Sequence, residues 1–174
     1  MLSDTLYRIY WFVGLLLAQV VLFDHIALFG YAIPMPYVYF FCLLPTNTSH
    51  WVYVVTGFFG GLLLDLFTGT PGVGAASSCA VGLATPYLLK LFAPSGYAFD
   101  EPFLPSVRTM EWLPFLRYVT TLVLLNCFLY FLLEAFTLMY FSRLFFTTLL
   151  STIISVAIIA AIESLRKSAT RTNR

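Results

Sequence analysis

The sequence predicts an all-α integral membrane protein with six transmembrane helices and both termini in the cytoplasm. Three observations carry that prediction. Of 174 residues, 60% are hydrophobic and only 10% are charged, whereas soluble domains carry about 25% charged residues. The apolar residues form runs long enough to cross about 30 Å of hydrocarbon. The nine basic residues fall almost entirely on one side once six crossings are drawn, as expected of cytoplasmic loops rich in Lys and Arg.

The spans cover about 5–23, 33–44, 50–67, 72–92, 113–140 and 142–162, with a cytoplasmic loop at 93–112 and a basic tail at 163–174, all in a single domain. The first contains the apolar run Ile9 to Phe23 behind Arg8. Its start is nearly neutral and it lacks a small-x-small cleavage site, so it reads as an uncleaved span and not as a signal peptide. The second is short and interrupted by Ile33-Pro34-Met35-Pro36. That pattern suits a broken or tilted helix, or a re-entrant piece packed against protein, where irregular backbone is tolerated at membrane depth. The remaining four are longer, and the turn Thr68-Gly69-Thr70-Pro71-Gly72-Val73-Gly74 joins the third to the fourth as an outer hairpin. Counting six, Arg8, Lys90, Arg108, Arg117, Arg166, Lys167, Arg171 and Arg174 share the cytoplasmic side, and Arg143 stands alone opposite. Tyr97, Phe99, Phe103 and Trp112 in the cytoplasmic loop are expected to anchor it at the interface.

Composition also excludes several functions. A net charge of +1 makes no case for a nucleic-acid partner, which would require clustered Lys and Arg on one face; membrane lipid is the expected surroundings. Cys42, Cys79 and Cys127 lie in apolar stretches without a CxxC pair, and His25 and His50 are far apart. No metal site or cofactor is expected from such spacing. No GxSxG or HExxH motif is present, and the glycine-rich turn has neither the spacing nor the lysine of a phosphate-binding loop. No catalytic residue is expected.

What remains are polar residues inside apolar helices. Gly57, Gly61 and Asp65 recur every four residues, so one face of the third span offers two positions without a side chain and then a carboxylate. Such a face lets another helix backbone approach closely. Gly14 and Ala18 form a similar small face on the first span. On the fifth, Asn126, Tyr130 and Glu134 repeat the spacing; on the sixth, Arg143, Thr147, Ser151 and Ser155 do so, with Thr148 and Thr152 alongside. Charges in membranes pair inside bundles, so Asp65, Glu134 and Arg143, with Asn126 and Tyr130, are expected to form a polar clasp in the outer half. A small-ligand site at the outer mouth is the competing reading of the same residues.

The stretch Leu28-Phe29-Gly30-Tyr31-Ala32-Ile33-Pro34-Met35-Pro36-Tyr37, and above all Gly60-Gly61-Leu62-Leu63-Leu64-Asp65-Leu66-Phe67-Thr68-Gly69-Thr70-Pro71-Gly72, resembles the rod shape-determining membrane protein family MreD. Asp100-Glu101-Pro102, Phe115-Leu116-Arg117-Tyr118 and Leu132-Leu133-Glu134-Ala135-Phe136 are similar to its Bacteroidetes-type members. Thr85-Pro86 departs from the arginine often found before that proline in the family, leaving Lys90 as the nearby cation. The resemblance implies a fold similar to the six-helix substrate-binding subunits of energy-coupling-factor transporters. It also implies a non-catalytic inner-membrane scaffold of the cell-elongation machinery, working with MreC, MreB, RodA and a penicillin-binding transpeptidase in peptidoglycan synthesis. The alternative is the substrate-binding membrane subunit of a vitamin transporter, in which Asp65, Glu134, Tyr130 and Asn126 would line the pocket.

Overall fold

The computed structural model describes residues 2–19, 33–93, 103–135 and 141–169, and among these the regular structure is entirely helical. The elements are α1 (Leu2–Ala18), a 3-10 helix (Pro36–Leu43), α2 (His50–Thr68), α3 (Val73–Phe92), the short α4 (Val107–Met110), α5 (Trp112–Ala135) and α6 (Phe141–Ala169). Among the described residues, four stretches are long and apolar enough to cross a membrane: His50–Thr68, Val73–Phe92, Trp112–Ala135 and Leu144–Arg166. Their lipid-type surface is plain on α2, where Phe58, Phe59, Leu62, Leu63, Leu66 and Phe67 are all exposed.

The tightest pairing is between α2 and α3. A Cβ added at Gly57 would lie 2.5 Å from the carbonyl oxygen of Ser78, one at Gly61 2.2 Å from that of Gly74, and one at Gly82 2.5 Å from that of Tyr53. As the number rises by four on one helix it falls by four on the other, so the pair is antiparallel and in backbone contact along three turns. The glycine spacing of α2 is therefore a helix-packing face, of the small-residue kind that lets backbones meet in a membrane.

Residues 33–44 do not form a crossing α-helix. The 3-10 helix there has eight residues, which at about 2.0 Å each reach about 16 Å, half the hydrocarbon thickness. All eight are buried. Prolines explain the break: Pro34 and Pro36 have no N–H to give and disfavour the α conformation in the residue before them. The two amides left in the extended stretch are both satisfied by α6. Ile33 N donates to Ser151 Oγ at 3.1 Å and Met35 N to Ser155 Oγ at 2.7 Å. Gln19 Nε2 donates to the Pro34 carbonyl at 2.8 Å. Irregular backbone survives at membrane depth only where side chains take over its hydrogen bonds, and here they do. Further along, Tyr39 pairs with Glu163, so the segment runs parallel to α6. It then turns back into α2, where Tyr53 holds the Pro45 carbonyl at 2.9 Å.

The peripheral element is α1. It packs mainly on the 3-10 segment, with Phe12 edge-on to Phe40 at 5.1 Å, and touches α2 only sparsely. Gly14 is exposed and has no heavy atom within 4 Å of a built Cβ, and Ala18 is half-buried. At Gly14 the small face expected on the first span thus meets nothing among the described residues. Residues 20–32, 94–102, 136–140 and 170–174 lie outside the described residues, and with them His25, Tyr97, Phe99 and part of the expected loop and tail.

Candidate functional site

Asp65 lies in the last turn of α2 with its side chain turned toward the start of α3, and it is 4% exposed. The chain returns through Gly69 and Gly72, both at positive φ (72° and 88°), where glycine avoids the Cβ clash. This tight return brings the first amides of α3 onto the carboxylate. Oδ1 accepts from Gly74 N at 2.7 Å, and Oδ2 accepts from Gly72 N at 3.0 Å and Ala75 N at 2.9 Å. The Thr70 hydroxyl adds a longer bond at 3.3 Å. Val73 N is held by the Thr70 carbonyl and Ala76 N by that of Gly72, so the first turn of α3 has no orphan donor. Asp65 is an N-cap supplied from the preceding helix, with its negative charge at the positive end of the α3 dipole. Glycine at 74 follows from this, because a Cβ there would lie 2.6 Å from Asp65 Oδ1.

The other expected members of the clasp sit differently. The Tyr130 hydroxyl lies 3.4 Å from that of Thr70, which in turn bonds Asp65. Asn126 lies one turn deeper and is 0% exposed. Its Nδ2 donates to the Tyr37 hydroxyl at 2.9 Å and reaches Met35 Sδ at 3.4 Å, while Tyr37 and Ser78 share a hydrogen at 3.0 Å. Asn126 therefore fastens α5 to α3 and to the broken segment, and not to Asp65. Glu134 is exposed near the end of α5. The side chain of Arg143 lies outside the described residues, so an ion pair shared by Asp65, Glu134 and Arg143 is not among the contacts described. The serines of the α6 stripe, Ser151 and Ser155, serve the amides of residues 33 and 35.

At the opposite end of the bundle lies a cluster the sequence reading placed in the tail. Glu163 is 2% exposed. It accepts from the Tyr39 hydroxyl on one oxygen and from Val107 N at 3.3 Å on the other. Arg166 closes the group, 3.8 Å from Glu163 and donating to Tyr39 at 3.1 Å. One carboxylate thus joins α6, α4 and the 3-10 helix. The signal was present in the sequence as Glu163 and Arg166, three residues apart behind the apolar run Val156 to Ile162, a spacing that places them side by side on one helix face.

The interior is closely filled. The cavity near the hairpin is walled by Ile33, Met35 and Leu64 as well as by Gln19, Tyr37, Thr68 and Tyr130, and has room for about one water molecule. A second hollow, between α1 and α2, is lined only by apolar side chains such as Val13, Leu17 and Phe67. Among the described residues no group of three His, Cys, Asp or Glu side chains is placed to hold a metal ion. No protein-family model matches the chain, and neither a curated protein nor a solved structure matches it.

Proposed function

We propose that this chain is a non-catalytic scaffold subunit of the cell-elongation machinery in the cytoplasmic membrane, of the MreD kind. In this reading it crosses six times, with the Asp65 hairpin outside and both termini inside. The broken segment 33–44 supplies part of the second crossing. One observation carries the proposal: Asp65, on which both the resemblance and any membrane chemistry would rest, has its two carboxylate oxygens committed to three backbone amides and a hydroxyl. A general acid or a ligand-binding carboxylate must keep a lone pair or proton available to the substrate. Asp65 instead maintains the hairpin, a structural role suited to a subunit whose task is to hold others in place.

The cavity beside it supports the same choice. Small-molecule sites usually measure about 300–1,000 Å³, whereas this one has room for about one water molecule. A vitamin does not fit without rearrangement. The exposed apolar faces of α1 and α2 leave ample membrane-embedded surface for the helix of an MreC-like partner, and MreB, RodA and a penicillin-binding transpeptidase would join directly or through it.

The deciding experiment is copurification from the native membrane with an MreC-like protein, paired with depletion of the chain. Recovery of that protein and rounding of the depleted cells are expected. A stoichiometric vitamin in the purified chain, with cell shape unchanged on depletion, would overturn the scaffold reading in favour of a transporter subunit.

A further inference from the structure

We propose that the cavity beside Gln19 is a binding site for one small hydrogen-bond donor, a water molecule or an ammonium-type cation, and that its occupant fastens α1 to the bundle. Gln19 follows directly on α1 and is 4% exposed. Its amide nitrogen donates to the Pro34 carbonyl at 2.8 Å. That bond fixes the orientation of the amide, since the reverse would set one carbonyl against another. Oε1 is therefore an acceptor, shut away from solvent, and it has no partner among the described residues. A buried amide carbonyl without a donor is costly and rare, and its usual explanation is a bound water or ion.

The surroundings point the same way. Gln19 lines a cavity with Met35, Tyr37, Thr68, Gly74 and Tyr130, and the space holds about one water molecule. The hydroxyls on that wall are already engaged: Thr68 with Thr70 at 2.7 Å, Tyr37 with Ser78 at 3.0 Å, and Tyr130 with Thr70 at 3.4 Å. Because Thr70 gives its hydrogen to Asp65, Thr68 donates to Thr70 and its own oxygen remains able to accept a further hydrogen bond. The missing element is a donor, and the occupant must bring at least one N–H or O–H to Gln19 Oε1. Water and ammonium share that chemistry and that size. An anion or an aprotic molecule does not.

Position gives the site its consequence. Because α1 meets α2 only sparsely, the Gln19–Pro34 hydrogen bond is a polar link from the end of α1 to the broken segment. An occupant donating to Gln19 and to a hydroxyl across the cavity would complete that link. This holds whether or not the chain is a scaffold.

The test uses the full chain in lipid nanodiscs. Thermal unfolding is followed in ammonium chloride, sodium chloride and choline chloride at equal ionic strength, and water held at the Gln19 side-chain amide is sought by NMR cross-relaxation. A saturable rise in Tm of several degrees in ammonium alone, abolished in Gln19→Met, identifies the cation. Equal Tm in the three salts with a long-lived water signal at the Gln19 amide, lost in Gln19→Met, identifies water. Equal Tm in the three salts with no such signal overturns the proposal. Both measurements are decisive on the unsubstituted protein, so failure of Gln19→Met to fold does not leave the question open.

Discussion

Asp65→Asn isolates what the carboxylate does at the hairpin, because it keeps the shape and removes one acceptor and the charge. In the native structure two oxygens receive amides at 2.7, 2.9 and 3.0 Å from opposite sides. Asparagine offers one oxygen, so whichever way its amide turns, an NH2 group faces a backbone N–H. Either the Gly74 amide or the Gly72 and Ala75 pair loses its partner. Losing one charge-assisted bond, at about 1.5–3 kcal/mol, and leaving a buried N–H unpaired, at about 1–3 kcal/mol, gives a total of about 2.5–6 kcal/mol. The lost interaction with the helix dipole, about 0.3–1 kcal/mol, lies within that spread. For a chain of this length such a loss lowers Tm by roughly 5–24 °C. Thermal unfolding in detergent, followed by the exposure of Cys79 on α3 to a thiol reagent, would measure it. A drop below about 2 °C, the equivalent of less than 1 kcal/mol, would refute the capping argument, since it would mean that the amides have other partners.

Two further substitutions probe the rest of the architecture. Gly61→Ala places a methyl group 2.2 Å from the Gly74 carbonyl oxygen and 2.7 Å from the Ala75 Cα, backbone atoms that cannot yield without parting the helices. A loss of about 1–3 kcal/mol or more is expected, whereas Gly14→Ala, with open space around it, should stay within about 0.5 kcal/mol; unfolding of the two variants side by side checks both. Tyr39→Phe removes a donor from the buried Glu163 carboxylate and should cost about 1–3 kcal/mol; a limited-proteolysis assay at the adjoining loop would also show faster cleavage, and an unchanged rate would count against the junction.

The long apolar α-helices were readable in the sequence because a bilayer imposes length and composition on each span by itself. The glycine face of α2 was readable for a similar reason, since four-residue spacing fixes which residues share a helix face before the neighbour is known. What sat on the other side of each polar residue was not readable. Asp65 and Arg143 carry opposite charge, so pairing them follows from electrostatics alone. Yet a turn of a few residues brings three amides to the carboxylate at far lower entropic cost than a distant side chain. Ser151 and Ser155 were visible as a stripe, but their use follows only from the two prolines about 120 residues earlier in the chain. Glu163 was not singled out, because its burial depends on Tyr39 and Val107, which come from remote parts of the sequence.

Those remote partners impose an order in time. The stretch from Ile33 to Leu43 is bonded to residues 118, 120 and 124 positions later, and the ribosome adds about 5–20 residues per second. For roughly 6–24 s after the second segment is made, the serines and the glutamate that satisfy it do not yet exist. During that interval its two unpaired amides and buried tyrosines have no place in lipid, so the segment must wait at the interface or within the insertion machinery. A helix made late, α6, therefore completes the bonding of an early segment, and a truncation before Ser151 is expected to leave the 33–43 segment outside the bundle, however intact the helices between them.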